Sequence, residues 1–232
     1  MSFQGLSKTA FSGIDRLRLV PNSNPMHFVA QGTQQVYIFN EDQKVFFRDD
    51  ATYHRGYNFN SIKWFRNDTL FSVGGYGFWH THSILSYYSS DSKEWHVIPT
   101  INSPKNVTND FYQFSKDGKQ LYVTYSSIIN GSDVEHDLNV WKLNLISFTW
   151  ENLGKLKSEA LEAIQLANRR LTLPIGTIIG NGQNRLLDLE NNRIDYLESS
   201  VIDLRVHSNN TFSKGQGAVV GSDYYLNIQV PG

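Results

Sequence analysis

The chain has 232 residues, 40% of them hydrophobic, 13% aromatic and only 19% charged, enough to bury a core filled by the aromatic side chains that sheet-rich proteins use. Lys plus Arg number 21 against 22 Asp plus Glu, a net charge of −1, which argues against binding nucleic acid by neutralising phosphates. The absence of cysteine removes disulfides, thiolate metal sites and cysteine nucleophiles, and points to a bacterial source.

Strand signals dominate from the start. Gln35 to Phe39 and Lys44 to Phe47 flank the polar cluster Asn40-Glu41-Asp42-Gln43 and read as a hairpin. Asn60 to Phe65 turns at Arg66-Asn67-Asp68 into Thr69 to Val73, and Ser83 to Tyr88 then turns at Ser89 to Lys93 into Glu94 to Ile98. Asp110 to Phe114 pairs in the same way with Gln120 to Thr124, and Leu138 to Leu143 with Thr149 to Leu153. Residues 155 to 168 are rich in Leu, Ala, Glu and Lys, so a helical turn is weighed around Ser158 to Glu162. Strand is expected from Ala163 onward, with Ala163 to Ala167 and Arg170 to Leu173 as an inner hairpin. Arg185 to Leu189 and Arg193 to Leu197 form the last clear outer pair.

Six residues separate Phe39 from Phe46, Tyr88 from Trp95, Leu143 from Trp150 and Leu189 from Tyr196. Phe46, Trp95 and Trp150 recur at intervals near 50 residues, the mark of stacked supersecondary units. Each unit is read as four antiparallel strands.

These residues resemble the kelch repeat: Arg55 before a first strand, Val73-Gly74-Gly75 ending a second, then Tyr88 and Trp95. The match is specific over 55 to 98 and holds in outline over roughly 15 to 230, since Tyr125-Ser126 replaces the glycine pair and Phe46 and Tyr196 replace the Trp elsewhere. The resemblance implies an all-β fold, a β-propeller of four-stranded antiparallel blades. One domain is expected over 1–232, with blades near 15–50, 54–100, 108–154 and 160–199 and a partial one at 205–230. That makes about five blades, with the N-terminus supplying strands to the last, or part of a larger propeller. The large outer-strand aromatics are expected to fill the wedge between blades.

In such a blade the approach to the first strand and the turn between the second and third lie at one end, where propeller loops collect ligands. That groups Arg55, Tyr57, Trp79, His80 and His82, together with the turn Ser126 to Asp137 carrying Asp133, Glu135, His136 and Asp137. His80 and His82 point the same way in an extended segment, but no third ligand is fixed by spacing, so a solvated turn is preferred to a metal site. No cofactor or catalytic residue is expected. Activity of the galactose-oxidase kind needs a cysteine and is excluded, and neither a phosphate loop nor a nucleophile elbow is present.

The reading is therefore a non-catalytic recognition module for a protein segment or a glycan, with Arg55, Tyr57, Trp79, His80 and His82 in contact. The wider context expected is the sensor part of a larger bacterial protein, extracytoplasmic if excised from one and cytoplasmic otherwise. The alternative is a sugar-active enzyme of the mutarotase or epimerase type, in which Arg55 and Glu135 would take part. No run of about 18 apolar residues exists, so no membrane insertion is expected.

Overall fold

The computed structural model describes residues 2–3, 17–51, 58–77, 79–129, 133–166, 169–173, 176–180, 184–196, 217–220 and 223–226. The chain divides into two compact units, Met1–Thr100 with Lys105–Thr108, and Ile101–Pro104 with Asn109–Gly232.

In the first unit, β1 (Ser2–Phe3), β2 (Leu17–Leu19), β3 (His27–Ala30), β4 (Val36–Asn40) and β5 (Val45–Arg48) form one sheet in the order β1-β5-β4-β3-β2. The second sheet runs β6 (Ile62–Arg66), β7 (Thr69–Gly77), β8 (His80–Ser89) and β9 (Glu94–Ile98), each strand antiparallel to the next. Val20, Val29 and Val36 of the first sheet's segment pack with Leu70, Tyr88 and Trp95 of the second. Trp95 is 1% exposed, and its indole N–H donates to Gln34 O at 2.9 Å, so a buried polar tip is satisfied across the two sheets. Tyr88 adds a hydroxyl bond to Asp49 at 2.7 Å.

The second unit carries β10 (Phe111–Phe114), β11 (Gln120–Ile129), β12 (Asp133–Asn144) and β13 (Trp150–Lys155) in one antiparallel sheet. After α1 (Ser158–Leu166), the strands β14 (Arg169–Leu173), β15 (Gly176–Gly180), β16 (Asn184–Asp188) and β17 (Arg193–Tyr196) form another. Gln113 on β10 donates to Asp188 Oδ1 at 3.0 Å and accepts from Leu189 N at 2.6 Å, stitching the two sheets together. In the span expected for a partial fifth blade, β18 (Gly217–Val220) and β19 (Asp223–Leu226) make a two-stranded ribbon. The fold is thus all-β, a β-propeller of four-stranded antiparallel blades, with four such sheets and one ribbon among the described residues. β1 adds to the first sheet, parallel to β5, and not to a last one.

The recurring six-residue spacing is explained by one turn used four times. Phe39 pairs with Phe46, Tyr88 with Trp95, and Leu143 with Trp150, each closing a four-residue loop one step further on. The residue before each loop is Asn40, Ser89, Asn144 or Asp188. Its side-chain oxygen accepts the amide of Gln43, Ser92, Ser147 or Asn191, three residues on. The last loop residue, Lys44, Lys93, Phe148 or Asn192, turns the chain at φ between 50° and 58°. In the fourth sheet this geometry corrects the expected register, because Leu187 pairs with Ile194 and Asp188 with Arg193. Tyr196 is therefore not an inter-blade filler: it is 71% exposed, with the Arg185 guanidinium 5.3 Å from its ring centroid. Leu187, fully buried, takes the core position.

Two further expectations are corrected. Residues from Ala163 to Leu166 are helical, and the inner hairpin is Arg169–Leu173 with Gly176–Gly180. Leu156, Ala160, Ala163 and Ile164 recur at helical spacing and pack into the core of the second unit, which outweighs the register argument for a strand. The segment Ser126 to Asp137, expected as a turn, is mostly ladder: Ser126 pairs with His136 and Ile129 with Asp133.

The segment leading into each sheet after the first bonds to the last turn of that sheet. Ala51 N donates to Lys93 O (2.9 Å), Ile101 N to Phe148 O (3.3 Å), and Lys157 N to Asn192 Oδ1 (3.0 Å), whereas in the first sheet Ser2 of β1 pairs with Val45, the first residue of β5.

Candidate functional site

The glycine pair sets the geometry of the candidate site. Gly74 and Gly75 have φ of +69° and +115°, and the β7–β8 register slips between Val73 and Gly75. A Cβ on Gly74 would lie 2.2 Å from Val107 O, and one on Gly75 would lie 1.8 Å from Asn58 Oδ1. Only glycine fits, and the bulge lets two other segments close in. Gly75 N donates to Val107 O at 2.7 Å, and Val107 N donates to His82 O at 3.0 Å, so the segment around Val107 spans the slip between β7 and β8. Oriented to donate, the Asn106 amide bonds Thr81 Oγ1 at 2.7 Å and Thr81 O at 2.9 Å. On the other side Phe59 and Tyr76 exchange two backbone bonds of 2.8 and 2.7 Å, and Asn58 does the same with Gly32.

This scaffold presents the β7–β8 turn. Trp79 sits in it at φ +70°, 93% exposed, a costly backbone state for a bulky residue and one that holds its indole out in solvent. His80 and His82 follow on β8, opposite Gly77 and Gly75, and share one face of the strand. His80 is exposed and His82 half-buried. Ile84 N donates to His82 Nδ1 at 3.3 Å, leaving the ring proton on Nε2. Burial, and then the neighbouring His80, hold the His82 imidazolium below its ordinary range, so the ring is neutral at neutral pH.

The structure thus brings Trp79, His80 and His82 together. Arg55 and Tyr57 lie outside the described residues, which resume at Asn58, paired through Phe59 to Tyr76 three residues before Trp79. Asp133, Glu135, His136 and Asp137 are on β12, in the other unit. Among the described residues no group of three His, Cys, Asp or Glu is arranged to hold a metal ion, and no helix is long and apolar enough to cross a membrane. Sequence reasoning missed Asn58, Asn106 and Val107. The spent signal was the glycine pair, which announces a close backbone approach without saying which segment makes it.

A solvent-facing aromatic turn carried on four-stranded antiparallel blades places the protein among the β-propellers. The solved structure described as "Structure of YjhT" is similar, with a TM-score of 0.58 at 12% identity, covering 89% of this chain and 70% of that one. No protein-family model and no curated protein matches the sequence.

Proposed function

We propose that the chain is a non-catalytic recognition module of the kelch-repeat kind, a single propeller domain over 1–232 that binds its ligand on the β7–β8 turn. Arg55, Tyr57, Trp79, His80 and His82 are the contact residues of this reading, and the natural context is the sensor part of a larger bacterial protein. The observation that carries it is Trp79: an apolar ring of that size held almost wholly in water, at a strained backbone angle, is a surface built to be covered. Of the two ligand classes, a carbohydrate suits this turn better than a protein segment. An indole face stacks on the C–H face of a sugar ring, and a neutral His82 offers a ring N–H to a hydroxyl without requiring a counter-charge.

The test is a glycan array and a peptide library screened in parallel on the intact chain, followed by titration of any hit against Trp79→Ala. Affinity should fall roughly tenfold or more, as for a central aromatic contact, with the thermal melt unchanged. Equal binding by the variant would refute this assignment of the site, and hits confined to the peptide library would move the ligand class to protein.

A further inference from the structure

The β7–β8 hairpin carries almost no charge. From Thr69 to Ser90 the sequence has no Asp, Glu, Lys or Arg, and His80 and His82 are the histidines of that stretch. The two strands fall out of step within it: between the pairs Val73–Leu85 and Gly75–His82, Ser83 and Ile84 of β8 stand against the single Gly74 of β7. His82 fixes this bulge from two sides. Its main-chain oxygen accepts from Val107 N at 3.0 Å, and its ring Nδ1 accepts from Ile84 N at 3.3 Å, so the ring ties down the amide of a bulged residue two positions on.

That ring bond exists only while the imidazole is neutral. An imidazolium donates at both nitrogens, so a proton added at Nδ1 would set one N–H against the N–H of Ile84. The described surroundings offer the new charge no counterpart. Opposite His82 on β7 stands Gly75, which has no side chain, and the titratable group next to it is Tyr76. The 105–108 segment that bonds to β8 brings Lys105, while Asn58 and Phe59, set against Gly75 and Tyr76, bring no titratable group. On β8 itself the neighbour is His80. None of these is a carboxylate. Burial and then His80 hold the His82 imidazolium below its ordinary range, in keeping with that inventory.

We propose that His82 is a proton-operated catch on the β7–β8 turn: neutral, it holds the bulge and with it the presentation of Trp79, and protonated, it lets both loosen. The sign follows from the fold favouring the neutral ring. The catch is fully closed above the ordinary histidine value of about 6.5 and opens as pH falls through the lower value of the folded chain. Its use rests on the recognition role proposed for this turn: a ligand taken up at neutral pH is released in acid. The proton-linked change in the turn itself does not depend on that role.

The test follows the ¹⁵N-labelled intact chain by NMR from about pH 8 to about pH 4.5, the His82 ring being identified by its loss in His82→Asn and the Trp79 indole by its loss in Trp79→Phe. At the upper end the His82 ring should carry its proton on Nε2, and its midpoint should lie below that of the same residue in the urea-unfolded chain. The Ile84 amide and the Trp79 indole should shift with that midpoint. Exchange of the Ile84 amide, corrected for its intrinsic pH dependence, should speed up about fivefold, as for one ordinary hydrogen bond lost. Asparagine keeps an acceptor at this place without titrating, so in His82→Asn the Ile84 and Trp79 signals should stay unmoved over the same range. If that variant does not fold, His80→Asn, which removes the repelling neighbour, should raise the His82 midpoint. A midpoint at or above the unfolded value, or Ile84 and Trp79 signals indifferent to it, overturns the proposal. Any glycan or peptide captured in the screen should bind about fivefold or more weakly in acid than at neutral pH, and equal binding overturns the use in release. A screen that yields no ligand counts against the recognition role alone, because the spectra decide the catch without one.

Discussion

Replacing Gly74 by alanine tests the structural basis of the candidate site against a built-in control. Gly74 and Gly118 have nearly the same backbone angle, φ +69° and +66°, so an L side chain costs about the same 1–2 kcal/mol of left-handed strain at each. They differ in what the new methyl meets. At Gly118 nothing lies within 4 Å, whereas at Gly74 it would stand 2.2 Å from Val107 O and 2.6 Å from Val107 Cβ. The obstructing atom is backbone and cannot rotate away. Moving it breaks the Gly75–Val107 bond of 2.7 Å and pulls on the Val107–His82 bond of 3.0 Å, each worth about 1 kcal/mol net, and Val107 itself is fully buried. Overpacking adds about 1–3 kcal/mol. Gly74→Ala should therefore cost at least about 2 kcal/mol more than Gly118→Ala in urea unfolding followed by tryptophan fluorescence at an unchanged m-value. Native-state hydrogen exchange should speed up at the Gly75 and Val107 amides. Equal destabilisation by the two variants would refute the argument, since strain alone would then account for both.

The register of the fourth sheet gives a second expectation. Leu187→Ala should cost about 2–5 kcal/mol by opening a cavity, whereas Tyr196→Ala, at an exposed position, should stay within about 1 kcal/mol in the same unfolding assay. The reverse order would restore Tyr196 as the core residue. A third concerns acid. Burial alone would raise the Asp188 carboxyl, but hydrogen bonds from Asn191, Gln113 and Arg193 outweigh it and hold the group below the usual carboxylate range. The stability this gives is complete above the unfolded-state value of about 4 and is lost as pH falls through the lower folded value. Asp188→Asn should thus be less stable than wild type at pH 7, with the difference narrowing below about pH 4 in melting temperatures recorded from pH 2 to 7.

Most of the blade pattern was legible because an outer hairpin writes its register into the sequence: Phe39 and Phe46, Tyr88 and Trp95, and Leu143 and Trp150 are cross-strand partners at a fixed spacing. The same spacing misled at Leu189 and Tyr196. Leu189 is buried although it sits in the loop, and so mimics a strand residue. The polar residue that caps each loop, Asp188 here, marks the register better than the aromatic, because its hydrogen bond requires one position whereas an aromatic is tolerated at several. Helix α1 was half visible for a related reason, since alanines at 160 and 163 suit both a helix and a crowded sheet, and only the core they face decides. At the candidate site, the exposure of Trp79 follows from its turn, but the role of residues 106 and 107 depends on a long-range approach that local sequence does not encode.

The bonds that Ala51, Ile101 and Lys157 make to the turn ahead of them bear on how such a chain can be copied or cut. The portable module does not begin at a first strand but at the connector in front of it. A duplication or graft severed at β6, β10 or β14 would arrive with an outer corner unfastened and its amide and carbonyl groups bare, an invitation to pair with a neighbouring molecule. Severed upstream of 51, 101 or 155, it would bring its own clasp.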